Sequence, residues 1–225
     1  MKMPFGLSTE DKVTKATEEY GQQLRDLYKH ECYGSKKKES CHILAEFYAS
    51  IEMDIDKAKE LYEHTCKELD FNESCLALGN LYLTNKKFKD PEKAMSLFQE
   101  SCAKKSPGAC NNAGLMYQKG VKGSTIEKDL PKAIELFTKA CDYGHRNGCF
   151  NLSAIYLTGK DGIPKDMKKA FELSLKSCEM SHPWGCVNVS RMYTLGDGVE
   201  KNPQEAEKFK RLAKLYSGQD STPVS

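Results

Sequence analysis

Residues 133–156 read AIELFTKACDYGHRNGCFNLSAIY and contain two amphipathic segments joined by a short polar stretch. In the first segment an alanine, a leucine and a phenylalanine share one helical stripe with Cys141, because residues three, four and eight positions apart face the same side of an α-helix. The second segment opens with Cys149 and carries Tyr156 seven residues later, again on one face. The spacing therefore predicts two helices joined as a hairpin, with a cysteine at each inner end.

The same unit recurs along the chain, most visibly in its cysteines. Two cysteine pairs have the spacing C-x8-C and three have the spacing C-x7-C. The pairs are Cys32 and Cys41, Cys66 and Cys75, Cys102 and Cys110, Cys141 and Cys149, and Cys178 and Cys186. From the first cysteine of one pair to the first of the next, the distances are 34, 36, 39 and 37 residues. A period of this size is typical of a repeat protein.

The repeat predicts an all-α fold, a right-handed α/α solenoid of five disulfide-bridged helix–loop–helix repeats followed by a C-terminal capping helix. We expect an N-terminal extension over residues 1–8, a single solenoid over 9–216 and a disordered tail over 217–225. The predicted repeat units cover about 20–53, 54–89, 90–128, 129–165 and 166–201, and the capping helix covers 202–216.

Three other positions recur in phase with the cysteines. Acidic or amide residues are expected in the N-cap or first turn of the first helices: Asp56, Asp90, Asp129, Asp166 and Asn202. A small residue four places after the second cysteine should let two helices approach closely: Ala45, Gly79, Gly114, Ser153 and Ser190. A tyrosine seven places after it is expected in the core: Tyr48, Tyr82, Tyr117, Tyr156 and Tyr193.

Composition excludes several classes of protein. The 34 Lys and Arg against 32 Asp and Glu give a formal charge of +2, which argues against a nucleic-acid binder, since such proteins carry a strong basic excess. The mean hydropathy is −0.63, and no apolar run is long enough to span a bilayer. The 16 Gly and 8 Pro are too few for a low-complexity chain.

The ten cysteines are predicted to form structural disulfides within the hairpins, because a short loop brings the ends of antiparallel helices together. Reduced cysteines buried as small apolar residues are the alternative. No C-x-x-C occurs, so a structural zinc site and a thioredoxin-like redox pair are disfavoured. Without C-x-x-C-H, covalent haem attachment is excluded by motif.

The expected cellular compartment is inferred by excluding the known types of targeting segment. Disulfides persist in oxidising compartments, yet MKMPFGLSTEDKV has no apolar core of a secretory signal. Acidic residues such as Glu10 and Asp11 are unlike a mitochondrial presequence. We therefore expect the mitochondrial intermembrane space, where cysteine oxidation traps an imported chain. A bacterial secreted protein whose leader is missing from the sequence is the competing interpretation.

The motif A-x-x-L-[FY]-x-x-x-C, followed by C-x-x-[LAV]-[GSA]-x-x-Y and a Gly-bearing loop, resembles the Sel-1-like (SLR) repeat over about residues 20–216. The cysteine pairs are similar to those of its cysteine-rich branch. That branch contains the bacterial β-lactamase-like Hcp proteins and eukaryotic assembly factors of cytochrome c oxidase. The segments most similar to the eukaryotic factors are CFNLSAIYLTGKDGIPKDM (149–167) and SRMYTLGDGVEK (190–201).

The resemblance implies a non-enzymatic mitochondrial scaffold needed for assembly of respiratory chain complexes, chiefly cytochrome c oxidase. Its implied partners are respiratory-chain subunits or assembly intermediates, and the disulfide relay of the intermembrane space during import. It implies no catalytic residue, no cofactor, no metal, no nucleic acid and no membrane span.

Two alternatives remain open. A haem-binding chaperone would draw its ligands from eight Met and from His30, His42, His64, His145 and His182. A weak β-lactam-binding or hydrolysing protein would use an S-x-x-K motif, which occurs at Ser101–Lys104 and Ser35–Lys38 and which we interpret as coincidence. Trp184, the only tryptophan, lies beside the last hairpin end, where we expect it to pack rather than to anchor a partner.

Overall fold

The structure, a computed structural model, describes residues 9–159 and 161–218, with side chains from residue 19 onward. Within these residues it contains eleven α-helices and no strand, which confirms the predicted fold class. The helices are α1 (Thr9–Ser35), α2 (Lys38–Ser50), α3 (Ile55–Lys67), α4 (Asn72–Thr84), α5 (Pro91–Ala103), α6 (Pro107–Lys119), α7 (Leu130–Asp142), α8 (Arg146–Thr158), α9 (Met167–Glu179), α10 (Pro183–Leu195) and α11 (Pro203–Tyr216). The predicted extension 1–8 and residues 219–225 of the predicted tail lie outside the described residues.

The chain forms two compact units, one ending at Leu81 and the other beginning at Tyr82. In the first unit α1 packs on α2, and α2 packs on α3. In the second unit each helix from α5 to α11 packs on the next one along the chain. Sequential packing of this kind is what a helical repeat requires, because a single hairpin cannot bury its own apolar face.

The first helix of most repeats starts at a capping carboxylate. Asp90, Asp129 and Asp166 each accept a hydrogen bond from the backbone N–H three residues later, at 2.9 to 3.0 Å. Asn202 does the same for α11. In α3 the cap is Asp54, and the predicted Asp56 lies in the first turn. Each cap satisfies an N–H that the helix leaves without a partner, and typically contributes about 1 kcal/mol.

The core of the second unit is built from the stripe that the sequence predicts. Phe137 is fully buried and packs with Leu130, Leu152 and Ile155. A Cβ placed on Gly114 would lie 2.7 Å from the Phe137 ring, so the small residue is needed for the close approach. Full burial of such an aromatic side chain contributes about 1.5–3 kcal/mol.

The repeat that contains α9 has no aromatic residue after the leucine of the motif, and a polar contact with α8 takes its place. Ser174 occupies the aromatic position of α9 and is fully buried. Its hydroxyl lies 2.7 Å from the hydroxyl of the buried Ser153 in α8. Two buried hydroxyls that bond each other avoid the penalty of an unpaired polar group. The departure from the repeat pattern at Ser174 is therefore matched by a polar contact.

Candidate protein-interaction surfaces

The cysteine pairs close the inner ends of the hairpins. In every pair the two sulfur atoms lie at bonding distance, and the Cα atoms are 4.6 to 4.8 Å apart. All ten cysteines are buried, and none of them is unpaired. The two cysteines of each pair are therefore close enough to be bonded, and their side chains are buried in the scaffold.

Two hairpin ends have local features that the cysteine spacing did not reveal. His145 and His182 are the N-caps of α8 and α10, and each Nδ1 accepts the backbone N–H of the glycine three residues later, at 3.3 and 3.2 Å. Those glycines permit close packing. A Cβ on Gly148 would lie 2.6 Å from the Ala140 Cβ, and one on Gly185 would lie 2.9 Å from a backbone nitrogen.

The surroundings of the two capping histidines disfavour their protonation. Burial lowers the pKa of both His145 and His182, and the positive charge of Arg146 lowers each further. The ring of His182 also stacks on Phe150 with 4.7 Å between the ring centroids. A neutral imidazole can accept the capping hydrogen bond at Nδ1, whereas a protonated one cannot. These two histidines are therefore structural acceptors at the hairpin ends.

The other histidines do not converge on them. Burial lowers the pKa of His42, which lies 3.0 Å from the Ser74 hydroxyl and beside the Phe71 ring. His30 and His64 are exposed. Across the described part of the chain, no group of three or more His, Cys, Asp or Glu side chains is arranged to hold a metal ion.

The two S-x-x-K matches differ in exposure. Ser101 is buried, with 1% of its surface exposed, immediately beside Cys102 at the hairpin end. Ser35 is the last residue of α1 and is exposed, as is Lys38. A nucleophilic serine must meet its substrate in a cleft, and Ser101 lies within the packed hairpin.

A repeated lysine contacts the tyrosine column, and this contact was not predicted from the sequence. The amino groups lie 4.3 to 5.7 Å from the ring centroids, within the range of a cation–π contact. The pairs are Lys57 over Tyr48, Lys93 over Tyr82, Lys132 over Tyr117, and Lys169 over Tyr156. The signal was present in the sequence as D-x-x-K, since each lysine stands three residues after a capping aspartate.

The tyrosine column is less buried than predicted. Tyr48 and Tyr82 are in the core, whereas Tyr117, Tyr156 and Tyr193 are half-buried. Each tyrosine carbonyl accepts the backbone N–H of the next capping residue, as from Asp129 to Tyr117 at 2.8 Å. The column therefore joins the end of one hairpin to the start of the next, at the edge of the core.

A polar cavity of about 500 Å³ lies among α5, α6 and the loop before α7. Tyr117 and Lys132 line it together with acidic side chains, including Glu92 and Asp129. Glu92 accepts the Thr125 N–H at 2.9 Å, and Asp129 pairs with Lys132 at 2.9 Å. Its charges are therefore largely satisfied within the protein.

A second cavity, of about 610 Å³, lies between α10 and α11 and is called here the C-terminal groove. Trp184 and Val187 line it on α10, and Ala213 lines it on α11. The expectation that Trp184 packs against the hairpin end is wrong, because 65% of its surface is exposed. The indole lines the groove from the first turn of α10.

Comparison with known proteins places this architecture among known repeats. The Sel1 repeat model matches residues 72–106, 107–145, 147–182 and 185–214. Cytochrome c oxidase assembly factor 7 of Xenopus tropicalis is 39% identical over 208 residues, which is 90% of this chain and 90% of that protein. The factor of the same name from Mus musculus is 42% identical over 190 residues, 82% of each chain.

Among solved structures, a Sel1 repeat protein from Oxalobacter formigenes matches with a TM-score of 0.71 at 17% identity, covering 88% of this chain and 83% of that one. At this identity the likeness concerns the fold alone. None of the helices in the described residues is long and apolar enough to cross a membrane.

Proposed function

Since the chain belongs to the Sel1 repeat family and, within it, to the family of cytochrome c oxidase assembly factor 7, we propose that it is an assembly factor for cytochrome c oxidase that acts as a non-enzymatic scaffold. The observation that carries the proposal is the 39% identity over 90% of both chains with the Xenopus tropicalis factor. Because that match covers nearly the full length of both proteins, the whole repeat array is shared rather than a single motif.

The arrangement of side chains supports a binding role. The capping aspartates and half-buried tyrosines hold neighbouring helices together, and the buried sulfurs close the hairpin ends. Such features stiffen a surface without providing a reactive group. A rigid surface loses little conformational freedom on binding, which favours recognition of a protein segment. Its partners would be subunits or assembly intermediates of the respiratory chain.

The proposed location is the mitochondrial intermembrane space, and the proposed bridges are the five hairpin disulfides. The location is consistent with cysteines that are all paired at bonding distance, because oxidation by the relay of that compartment would retain the folded chain. Protease protection would test the location: the protein should resist protease in intact mitochondria and be digested once the outer membrane is ruptured. Differential alkylation followed by mass spectrometry should find five intrachain pairs. Ten free thiols would contradict both proposals.

Deletion of the gene in the source organism tests the function. We expect less assembled cytochrome c oxidase on native gels and lower oxidase activity relative to a matrix enzyme, restored by the wild-type chain. A control strain that expresses an unrelated intermembrane-space protein should show no rescue. Normal oxidase levels after complete loss of the protein would overturn the proposal.

A further inference from the structure

The C-terminal groove exposes apolar side chains of α10 to solvent. Trp184 and Val187 are 65% and 41% exposed, so two large apolar side chains on one face of α10 meet water. Ala213 of α11 forms the opposite wall and is itself buried. Exposed tryptophans in a recess are characteristic of interfaces, because covering the indole yields much of the binding energy.

The charges at the rim all have one sign. Arg191 projects from α10, and Lys210 and Lys214 project from α11, while none of the acidic side chains within residues 19–218 that the structure describes lines the groove. Lys210 lies 3.7 Å from Glu207 on its own helix, a distance at which the pairing is weak. The polar cavity at α5–α7 differs in this respect, since acidic side chains also line it and Asp129 pairs with Lys132 there.

We propose that the C-terminal groove binds an acidic segment of a partner protein. A bulky apolar side chain of that segment would cover Trp184 and Val187, and flanking carboxylates would pair with Arg191, Lys210 and Lys214. The proposal rests on the proposed function only in taking the occupant to be a client protein. The apolar floor supplies affinity, and the basic rim supplies the preference for acidic segments.

The groove shape favours a peptide over a lipid surface. A recess of about 610 Å³ falls in the range of about 300–1,000 Å³ typical of ligand pockets and can admit a bulky side chain, whereas a flat bilayer would contact only its rim. A helical partner would place its anchors on one face, at the spacing of three and four residues that such grooves receive.

Trp184 is the only tryptophan of the chain, so its fluorescence reports on this groove alone. The probe is a tryptophan-free synthetic peptide about four helical turns long, with Leu and Phe on one face and Glu elsewhere. We expect a saturable blue shift of the emission. A peptide with Lys in place of Glu, and another with Ser in place of Leu and Phe, should each bind at least about tenfold more weakly.

Charge reversal tests the rim. Lys214→Glu and Arg191→Glu should each weaken binding of the acidic peptide by about tenfold, because each turns an attraction at the rim into a repulsion. Lys122→Glu makes the same charge change at an exposed loop position outside the groove and should leave binding unchanged. Circular dichroism of each variant establishes that it is folded.

Other outcomes would overturn the proposal. Equal binding of the Lys peptide, or no response of Trp184 to any of the peptides, would exclude an acidic client. A blue shift with vesicles of phosphatidylcholine and phosphatidylglycerol, but not with peptide, would assign the groove to a membrane. A shift that depends only on protein concentration would assign it to a second copy of the chain.

The result is separable from the proposed function. If the peptide binds but gene deletion leaves the oxidase intact, the groove proposal is supported and the proposed function is overturned. If deletion depletes the oxidase, the Lys214→Glu variant restores it fully and no peptide binds, the proposed function is supported and the groove proposal is overturned.

Discussion

The hairpin α1–α2 in the first unit and the hairpin α9–α10 in the second have the same distance between their paired cysteines but differ in the residues around them. Both pairs have a Cα–Cα distance of 4.6 Å, yet the sequence separations are 9 and 8. At the start of α2, Lys37 makes no side-chain capping bond, whereas at the start of α10, His182 caps the helix. Beside the bridge, Ser40 bonds Glu31 in the first hairpin, whereas Gly185 allows direct backbone approach in the other.

The difference shows which part of the hairpin is fixed. The cysteine positions are shared, while the cap, the loop length and the residue before the second cysteine vary. The third hairpin shows the same freedom, because it combines the shorter spacing with Ser106 as an N-cap that makes no side-chain bond. The cysteine pair at bonding distance is therefore the common element, and local capping and close packing add to it in some repeats only.

The largest expected effect comes from removing a bridge in each unit. Replacing both cysteines of one pair by Ala, at Cys32 and Cys41 or at Cys178 and Cys186, should lower the free energy of unfolding by about 2.6 kcal/mol, because the two closed loops are nearly equal in length. Urea unfolding with and without reductant measures it. If the variant and the wild-type chain differ by the same amount with and without reductant, the bridge does not form in solution.

The same Gly→Ala change should have opposite signs in the two units. Gly148→Ala should destabilise the protein by about 1–3 kcal/mol, because the new methyl group would overlap the Ala140 side chain. Gly21→Ala in α1 has no atom within 4 Å of the new Cβ and should stabilise the helix by up to about 1 kcal/mol. Urea unfolding of both variants compares them. If both changes destabilise equally, close packing at the second-unit hairpin ends is not the cause.

The smallest expected effect is the acid sensitivity of the histidine caps. Because the folded pKa of His145 and His182 lies below the unfolded value of about 6.5, the unfolded chain binds protons more readily. Their contribution is complete above that value and declines as the pH falls through it towards the folded pKa. His145→Ala should cost about 1 kcal/mol at neutral pH.

The matched change is the double variant His145→Asn and His182→Asn, since Asn caps a helix without titrating. It should keep most of the stability at neutral pH and flatten the loss between about pH 7.5 and pH 5. Hydrogen exchange resolved by peptide separates α8 and α10 from the first unit, where the lowered pKa of His42 gives an acid response of its own. If the acid dependence of hydrogen exchange in α8 and α10 is unchanged in the double variant, the histidine caps are not its cause.

The sequence predicts the hairpins well because their determinants are local and repeated. Cys141, Phe137 and Gly114 each occupy a position defined by period and helical spacing, and the structure places them as that spacing implies. The capping role of Asp129 follows from its place before a helix. Five copies of one pattern also correct each other, so that a departure such as Ser174 does not obscure the repeat.

What escaped prediction depends on contacts between repeats or on the conformation of a loop. The lysine over four of the five tyrosines is visible only when the end of one hairpin is aligned with the start of the next. The acceptor role of His182 requires knowing that the loop turns its Nδ1 towards a backbone N–H. The exposure of Trp184 depends on how α11 packs beside α10, which no single-repeat pattern contains.

The five proposed bridges would also limit how far the chain can be stretched. When a force pulls on the two termini, each bridge withholds a segment of eight or nine residues from the extending polypeptide. At about 3.3–3.6 Å per extended residue, this is roughly 30 Å of contour length for each hairpin. In a single-molecule pulling experiment, every repeat would therefore yield in a step that reductant lengthens, and the number of lengthened steps would count the bridges one by one.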